Sequence, residues 1–373
     1  MMSARFLTVV LERAFNMRDG FGREIDYMRI SVIDSCNLNC YYCNPCDNNE
    51  HCHALNILSV KEVLCIVRAA TRLGIKHFRL TGGEPLLHPQ LDEMVLQIKK
   101  IPGVSSVSLT TNAVLLAQHA KWLKEAGIDS INVSLDTIDA SEYERITKKP
   151  LLEEVKHGIN AAIECGIRVK INVVLTPQTD VVALTRYASK KGTDIRFIEM
   201  MPVGEGHTNG VEPYEKVIGA LLEVYGTPCH IDTENREEIN SGYNNSDNGP
   251  AEYYSFHGLN IRVGLIQAIH GKFCDTCNRI RVTADGRLMP CLGSSVTMDL
   301  VPDSCEFTDD LEKDFVIVQA LKAAIKAKPG CHNFNDNAVT YTKTTETKTV
   351  ETKATELKAA EVNAARNMSR IGG

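Results

Sequence analysis

The stretch Tyr27-Met-Arg-Ile-Ser-Val-Ile33-Asp-Ser-Cys36-Asn-Leu-Asn-Cys40-Tyr-Tyr-Cys43 decides how the chain is read. Its apolar, β-branched run from Tyr27 to Ile33 reads as a strand. Three cysteines then follow at C-x3-C-x2-C spacing. Thiolates this close can face one soft metal centre, and three ligands leave a four-iron cluster with one iron unfilled. An open metal position is where a substrate or cofactor binds, unlike a closed structural site. A structural zinc knot, or core cysteines with no shared role, also fits the spacing, and later residues have to separate these readings.

The whole chain narrows the choice. Its 373 residues suggest two domains, or one barrel with an appendage. A formal charge of −6 argues against a nucleic-acid partner. No apolar run approaches the ~20 residues of a membrane helix. Thirteen cysteines, an odd number bunched in short motifs, suit metal ligation in a reducing compartment better than disulfides. The expected location is the cytoplasm, or the mitochondrial matrix in a eukaryote. Cys46, Cys52, Cys65, Cys165, Cys229, Cys305 and Cys331 show no ligand spacing and read as small apolar residues or free thiols.

From Arg23 to Met201 short β-rich runs alternate with helix-period segments. Strands are expected at Tyr27–Ile33, His77–Thr81, Ser105–Thr110, Ser130–Leu135, Arg168–Leu175 and Asp194–Glu199. Helices are expected at Lys61–Leu73, Leu91–Ile101, Ala117–Ala126, Leu152–Cys165 and Val181–Lys190. The fold class is α/β: six strand–helix alternations read as a parallel sheet, closed or nearly closed as a barrel. Chemistry then gathers at the C-terminal strand ends, where the cysteine triplet falls. The expected divisions are a lead over 1–19, a barrel over 20–235, a C-terminal domain over 236–330, a low-complexity linker over 331–367 and a tail over 368–373. The lead is mildly amphipathic, with Arg5 and Arg13; Glu12 and its shortness count against a transit segment.

Parallel strands buried on both faces should be continuously apolar. Arg29, Arg79, Lys170 and Arg196 nevertheless sit inside four different strands. They either point outward to helix carboxylates or converge inside the barrel, where only an anion makes them tolerable. The second reading suggests a polyanionic ligand such as a nucleoside triphosphate. The second strand ends in Thr81-Gly82-Gly83-Glu84-Pro85. Adjacent glycines let backbone approach a ligand and leave amide donors free, and Glu84 could hold an ammonium. Alone, this is also an ordinary strand-ending turn.

The cysteine triplet, with Tyr42 before its last cysteine, and the Gly-Gly-Glu-Pro turn resemble the radical S-adenosylmethionine (SAM) superfamily. The resemblance implies a 4Fe-4S cluster on Cys36, Cys40 and Cys43, whose open iron chelates SAM and whose electron yields a 5′-deoxyadenosyl radical. Further on, Phe273-Cys274-Asp-Thr-Cys277-Asn-Arg279-Ile280-Arg281 leads to Pro290-Cys291, a C-x2-C-x13-C group. Spacing alone also allows a zinc site completed by His270 or Cys305. With the Arg-x-Arg pair, the chain from about Phe21 to Lys328, and again over its last six residues, resembles the GTP 3′,8-cyclase family of molybdenum cofactor biosynthesis.

That narrower resemblance implies an incomplete TIM-like (β/α)6 radical SAM barrel with a smaller C-terminal α+β domain, which carries a second 4Fe-4S cluster on Cys274, Cys277 and Cys291 that binds guanine. It implies SAM contacts from Tyr42, Gly83, Glu84, Ser134 and Met201, and GTP contacts from Arg29, Arg79, Thr110, Lys170, Arg196, Arg279, Ile280 and Arg281. The radical would take hydrogen from ribose C3′, and the carbon radical would add to guanine C8. Arg29, Arg279, Arg281 and a tail ending in Gly372 and Gly373 would support catalysis; a frayed terminus or a carrier-type tail are the competing readings of those glycines. Implied partners are a flavodoxin- or ferredoxin-like reductant, cyclic pyranopterin monophosphate synthase downstream, and a second copy in a homodimer. Three positions depart from the family: His77 replaces a usual lysine, Ala113 a usual glycine and His88 a usual arginine. They put substrate affinity in question. Thr340 to Ala360, rich in Thr, Lys, Glu and Ala, reads as a spacer without a core.

Overall fold

The structure, a computed structural model, describes residues 17–43, 56–202, 214–230, 249–294, 297–300, 310–332 and 334. Residues 1–16, Cys46, Cys52, Cys305, the low-complexity stretch and the Gly372-Gly373 tail lie outside the described residues.

The six expected strands form, as β1 (Tyr27–Ser31), β2 (His77–Thr81), β3 (Ser106–Thr111), β4 (Ser130–Ser134), β5 (Arg168–Val174) and β6 (Asp194–Ile198). They pair in chain order and are all parallel. The crossovers are α1 (Val60–Thr71), α2 (Leu91–Lys99), α3 (Leu116–Glu125), α4 (Ala140–Thr147), α5 (Leu152–Glu164) and α6 (Val181–Lys191). Ser59 and Glu62 close a capping box at the start of α1. Helix α4 has no counterpart in the sequence reading; Asp139 caps it by accepting from Glu142 N at 2.8 Å.

Beyond residue 213 come α7 (Glu215–Tyr225), β7 (Cys229–His230), β8 (Glu252–Ser255), β9 (Val263–Ile266), β10 (Arg279–Val282), β11 (Arg287–Met289), β12 (Met298–Asp299) and α8 (Asp310–Lys326). Strand β9 pairs parallel to β6 and β10 parallel to β1, so the C-terminal segment extends both edges of the six-stranded core. Among the described residues one twelve-stranded sheet results, in the order β12-β11-β10-β1-β2-β3-β4-β5-β6-β9-β8-β7. Its order has two ends, so the barrel is incomplete. No helix among the described residues is long and apolar enough to cross a membrane.

The strands are not continuously apolar; they alternate with period two. Met28 and Ile30, Phe78 and Leu80, Val107 and Leu109, Ile131 and Val133, Ile171 and Val173, and Ile195 and Phe197 are all 0% exposed within one core. That face packs against the helices. The intervening positions are polar on every strand: Arg29, Arg79, Ser108, Asn132, Lys170, Asn172 and Arg196. One face is therefore oily and covered, and the other is the polar inner face of the barrel. The register brings Arg281, Arg29 and Arg79 side by side across β10, β1 and β2.

The Gly-Gly turn after β2 serves the first cysteine loop. A Cβ on Gly83 would lie 2.2 Å from Ser35 O, and one on Gly82 2.4 Å from Ile33 O. Gly83 N donates to Ile33 O at 2.7 Å and Glu84 N to Ser35 O at 2.8 Å. The Gly83 amide, expected to be free for a ligand, is therefore engaged, and with Glu84 N it clamps the chain that enters Cys36. Ala113 holds a left-handed backbone, φ 64°, which explains the usual glycine there: the departure bears on backbone strain.

Two substitutions test this frame. Gly83→Ala forces backbone apart and should lower stability by about 1–3 kcal/mol or more, read by urea unfolding, and reduce iron uptake at the first triplet. In Ala113→Gly, relief of about 1–2 kcal/mol of left-handed strain outweighs about 0.5–1 kcal/mol of added chain entropy. The urea midpoint should rise; a fall would show that Ala113 is not strained.

Candidate active site between two cysteine triplets

The first triplet follows the C-terminal end of β1 and is braced from the neighbouring loops. Cys36 Sγ accepts from Leu38 N at 3.5 Å and Asn112 Nδ2 at 3.8 Å. Asn112 also donates to Asn37 Oδ1 at 2.7 Å. Glu84, 1% exposed, accepts from Leu86 N, Thr111 Oγ1 and Asn112 N at 3.0, 2.7 and 2.7 Å, tying the loops after β2 and β3 together. Burial pushes the Glu84 carboxyl up to about 7. Tyr42 donates its phenol proton to Asp136, whose other oxygen accepts from Val174 N at 2.8 Å. Ser134 is exposed at the end of β4. Met201 packs with Ile269 and Phe334, close to Leu292.

The second triplet lies at the other end of β1. Cys274 and Cys277 precede β10, and Tyr27 N, opening β1, donates to Asn278 O at 3.3 Å. Strand β11 runs antiparallel to β10 and brings Cys291 back to the same end. The five residues of β1 put about 16 Å of strand between the two cysteine groups.

Between them stand the cations. Arg79 is 6% exposed, Arg196 4%, Lys170 2% and Arg281 8%, which decides against the outward-facing reading. Arg79 donates to the Tyr27 phenol oxygen and to Thr110 Oγ1, the latter at 3.4 Å. Arg196 Nε donates to Asn172 Oδ1 at 2.9 Å, in space that Gly264 leaves open, since a Cβ there would lie 2.8 Å from Arg196 Cγ. Arg279 lies over the Phe273 ring at 5.3 Å. Among the described residues Arg79, Arg196, Arg279 and Arg281 have no carboxylate partner. Asp194 is engaged by Arg262 at 2.5 Å. Arg196 Nη2 and Arg281 Nη1 are buried without a hydrogen-bond partner among the described residues. Burial, then Arg281, presses Arg29 well below the usual guanidinium range, and burial with Arg279 beside it pushes Arg281 down to about 10. Burial alone would raise the Tyr27 phenol, but Arg79 and Arg29 outweigh it and pull it down. Ile280, 1% exposed, faces the oily side, so only its backbone is presented here.

The three departures take structural posts. His77 Nδ1 meets Ser106 Oγ at 2.8 Å, with its ring near Tyr27. His88 accepts from Gln90 N at 3.1 Å and donates to Leu58 O at 2.9 Å; burial lowers its basicity, and it acts as a neutral brace.

The donor sets fit iron–sulfur clusters. All six cysteines are free, and no three His, Cys, Asp or Glu among the described residues close on one point as a single ion requires. A cubane takes its ligands at separate corners and does not need such convergence. Of the residues proposed to complete a zinc site, Cys305 lies outside the described residues and His270 Nδ1 is engaged by Glu199 at 2.7 Å. Burial pushes the Cys36 thiol up to about 12 and Cys43 to about 11, so ligation there must expel protons. Cys277 differs: burial opposes its thiolate, but Arg279 and Lys328 prevail and lower it.

Residues 30–184 match the family model described as the Radical SAM superfamily, and residues 193–334 match Molybdenum Cofactor Synthesis C. A GTP 3′,8-cyclase of Clostridium perfringens is 36% identical over 322 residues, spanning 85% of this chain and 95% of the relative. One from Listeria monocytogenes is 36% identical over 320 residues, spanning 85% and 92%. Among solved structures, anSMEcpe with bound AdoMet matches at a TM-score of 0.52 and 16% identity, over 91% of this chain and 99% of that one. Streptococcus suis SuiB bound to S-adenosylmethionine matches at 0.52 and 14%, over 79% and 65%; these two bear on the fold alone. Sequence and architecture together place the chain in the GTP 3′,8-cyclase family of the radical SAM superfamily.

Proposed function

We propose that this chain binds GTP along the polar inner face of the barrel and cyclises it between ribose C3′ and guanine C8. The observation that carries the reading is the set of cations Arg29, Arg79, Lys170, Arg196, Arg279 and Arg281 on one face, between two cysteine triplets. A triphosphate supplies negative charge to Arg79, Arg196, Arg279 and Arg281, which have no carboxylate partner among the described residues, and its length suits a site running along the strands. Cys36, Cys40 and Cys43 would hold one 4Fe-4S cluster, and Cys274, Cys277 and Cys291 the other. Once loaded, the first cluster with SAM supplies the 5′-deoxyadenosyl radical.

The chain's own groups bind and orient. Thr110 and the Tyr27 phenol fix the Arg79 guanidinium, and Asn172 fixes that of Arg196, so both are set before a phosphate arrives. Arg279 and Arg281 stand next to Cys277, where the base end of the nucleotide would lie. Gly83 and Ser134, at the C-terminal ends of their strands, and Tyr42, held by Asp136, would serve SAM with Met201. Glu84 acts through the loops it joins. The oily face and its helices keep water from the strand side of the site. A small reductant protein, cyclic pyranopterin monophosphate synthase as the consumer of product, and a homodimer belong to the same proposal, as does a reducing compartment.

Anaerobic reconstitution followed by assay for 5′-deoxyadenosine and cyclised nucleotide tests the reading. Both products should depend on GTP. In Arg279→Ala/Arg281→Ala the cyclised product should vanish while iron uptake is largely kept; wild-type turnover by this variant rules the assignment out. Arg281 also makes a stability test. At a hundredfold excess over Kd, GTP should stabilise the wild-type chain by about 2.7 kcal/mol in thermal unfolding. Arg281→Met should abolish that gain yet leave the ligand-free chain equally stable or more stable by about 1–4 kcal/mol. A variant that instead loses stability without ligand would show that the cation is satisfied within the fold.

A further inference from the structure

Cys331 stands apart from both ligand motifs in sequence, but the fold carries it to the second of them. Three anchors do this. The Arg23 guanidinium, held by Asp19 at 2.6 Å, donates from Nη1 both to Cys274 O at 2.6 Å and to Gly330 O at 3.1 Å. One nitrogen thus touches the backbone of a cluster cysteine and the residue preceding Cys331. Nη2 reaches Pro329 O at 2.6 Å. Lys328 Nζ donates to Pro290 O at 3.0 Å, next to Cys291, and to Arg279 O at 2.8 Å, two residues past Cys277. His332 Nε2 meets Ala268 O at 2.7 Å, and its Cβ would lie 2.9 Å from a Cβ placed on Gly293, two residues past Cys291. Residues 328–332 therefore form a strap pinned across all three ligand-bearing segments. Under it, Cys331 and Cys274 side chains meet, and His332 N donates to the Cys274 sulfur. Cys331 is reduced and exposed, so its thiol is free to turn.

We propose that Cys331 is a fourth thiol of the second cluster's site, ligating the iron that Cys274, Cys277 and Cys291 leave open. The inference rests on the two-cluster reading above. Thiolate is the donor type that such iron takes, and the strap fixes the backbone while leaving the side chain mobile. Because that iron is also where guanine would bind, Cys331 is an exchangeable ligand. It loses a proton on binding iron and regains one on release, and no electron changes hands. The strap would thus shield the cluster until substrate displaces the thiol.

The test isolates the second site. In a full-length chain carrying Cys36→Ala, Cys40→Ala and Cys43→Ala, anaerobic reconstitution should still deliver one four-iron cluster, counted by iron and sulfide analysis. On titration with ferricyanide, a cluster held by three cysteines sheds its fourth iron and gives the electron paramagnetic resonance signal of a three-iron cluster. With Cys331 present that signal should appear several-fold more slowly than in the same chain with Cys331→Ala, and Cys331→Ser should fall between. A cluster that forms but sheds iron at the same rate with and without Cys331 overturns the role of Cys331 alone. A chain that takes up no cluster overturns the two-cluster reading, and this proposal with it.

Discussion

Buried positive charge on one face of a parallel sheet, with no carboxylate partner among the described residues for Arg79, Arg196 or Arg281, is the constraint on which the rest of the structure depends. Arg79, Arg196 and Arg281 are each less than 9% exposed. Burying a charge without a partner is among the most expensive things a fold can do. The fold tolerates it by surrounding the guanidiniums with neutral oxygen: Tyr27 and Thr110 for Arg79, Asn172 for Arg196. Neutral acceptors fix direction without cancelling charge. The inner face is therefore rigid and still attractive to an anion.

The same arrangement accounts for the two-sided character of the strands. Helices need an oily surface to pack on, and Met28, Phe78, Val107, Ile131, Ile171 and Ile195 supply it at 0% exposure. Only the alternate positions remain for binding chemistry. The N- and C-terminal parts of the chain share that surface, because β9 and β10 continue the core sheet on both edges. Arg279 and Arg281 thus stand in register with Tyr27 and Arg29. A cation set drawn from residues 29 to 281 is in this way assembled by strand pairing, with little demand on loops.

Much of this was legible in sequence, for identifiable physical reasons. Strand and helix periods are local, so the six strands fall within two residues of their expected ends. The strand cations were visible because a charge in an apolar run stands out. What the sequence did not disclose depends on contacts between distant segments. The amides of the Gly-Gly turn looked available for a ligand, but Ile33 O and Ser35 O take those of Gly83 and Glu84. For His77, Ala113 and His88 the sequence pointed only to substrate affinity; the fold adds a contact with Ser106, a left-handed backbone and a contact with Leu58. The contact of Cys331 with Cys274 spans more than fifty residues, and no spacing rule reports it.

The two triplets are also held differently, and the difference follows from their surroundings. Cys36, Cys40 and Cys43 sit where burial favours the neutral thiol, braced by amide donors from Leu38 and Asn112. Near Cys277, Arg279 and Lys328 favour the thiolate. A site that opposes its own ligands' ionisation retains a metal only by exact bracing, and the Gly-Gly clamp, Glu84 and Asn112 provide that bracing. The second site is mixed: Arg279 and Lys328 favour the Cys277 thiolate, while burial and the neighbouring Cys331 thiol oppose that of Cys274. Its bracing comes from outside the triplet, through the strap that Arg23, Lys328 and His332 pin across it, and Cys331 is carried there on that strap.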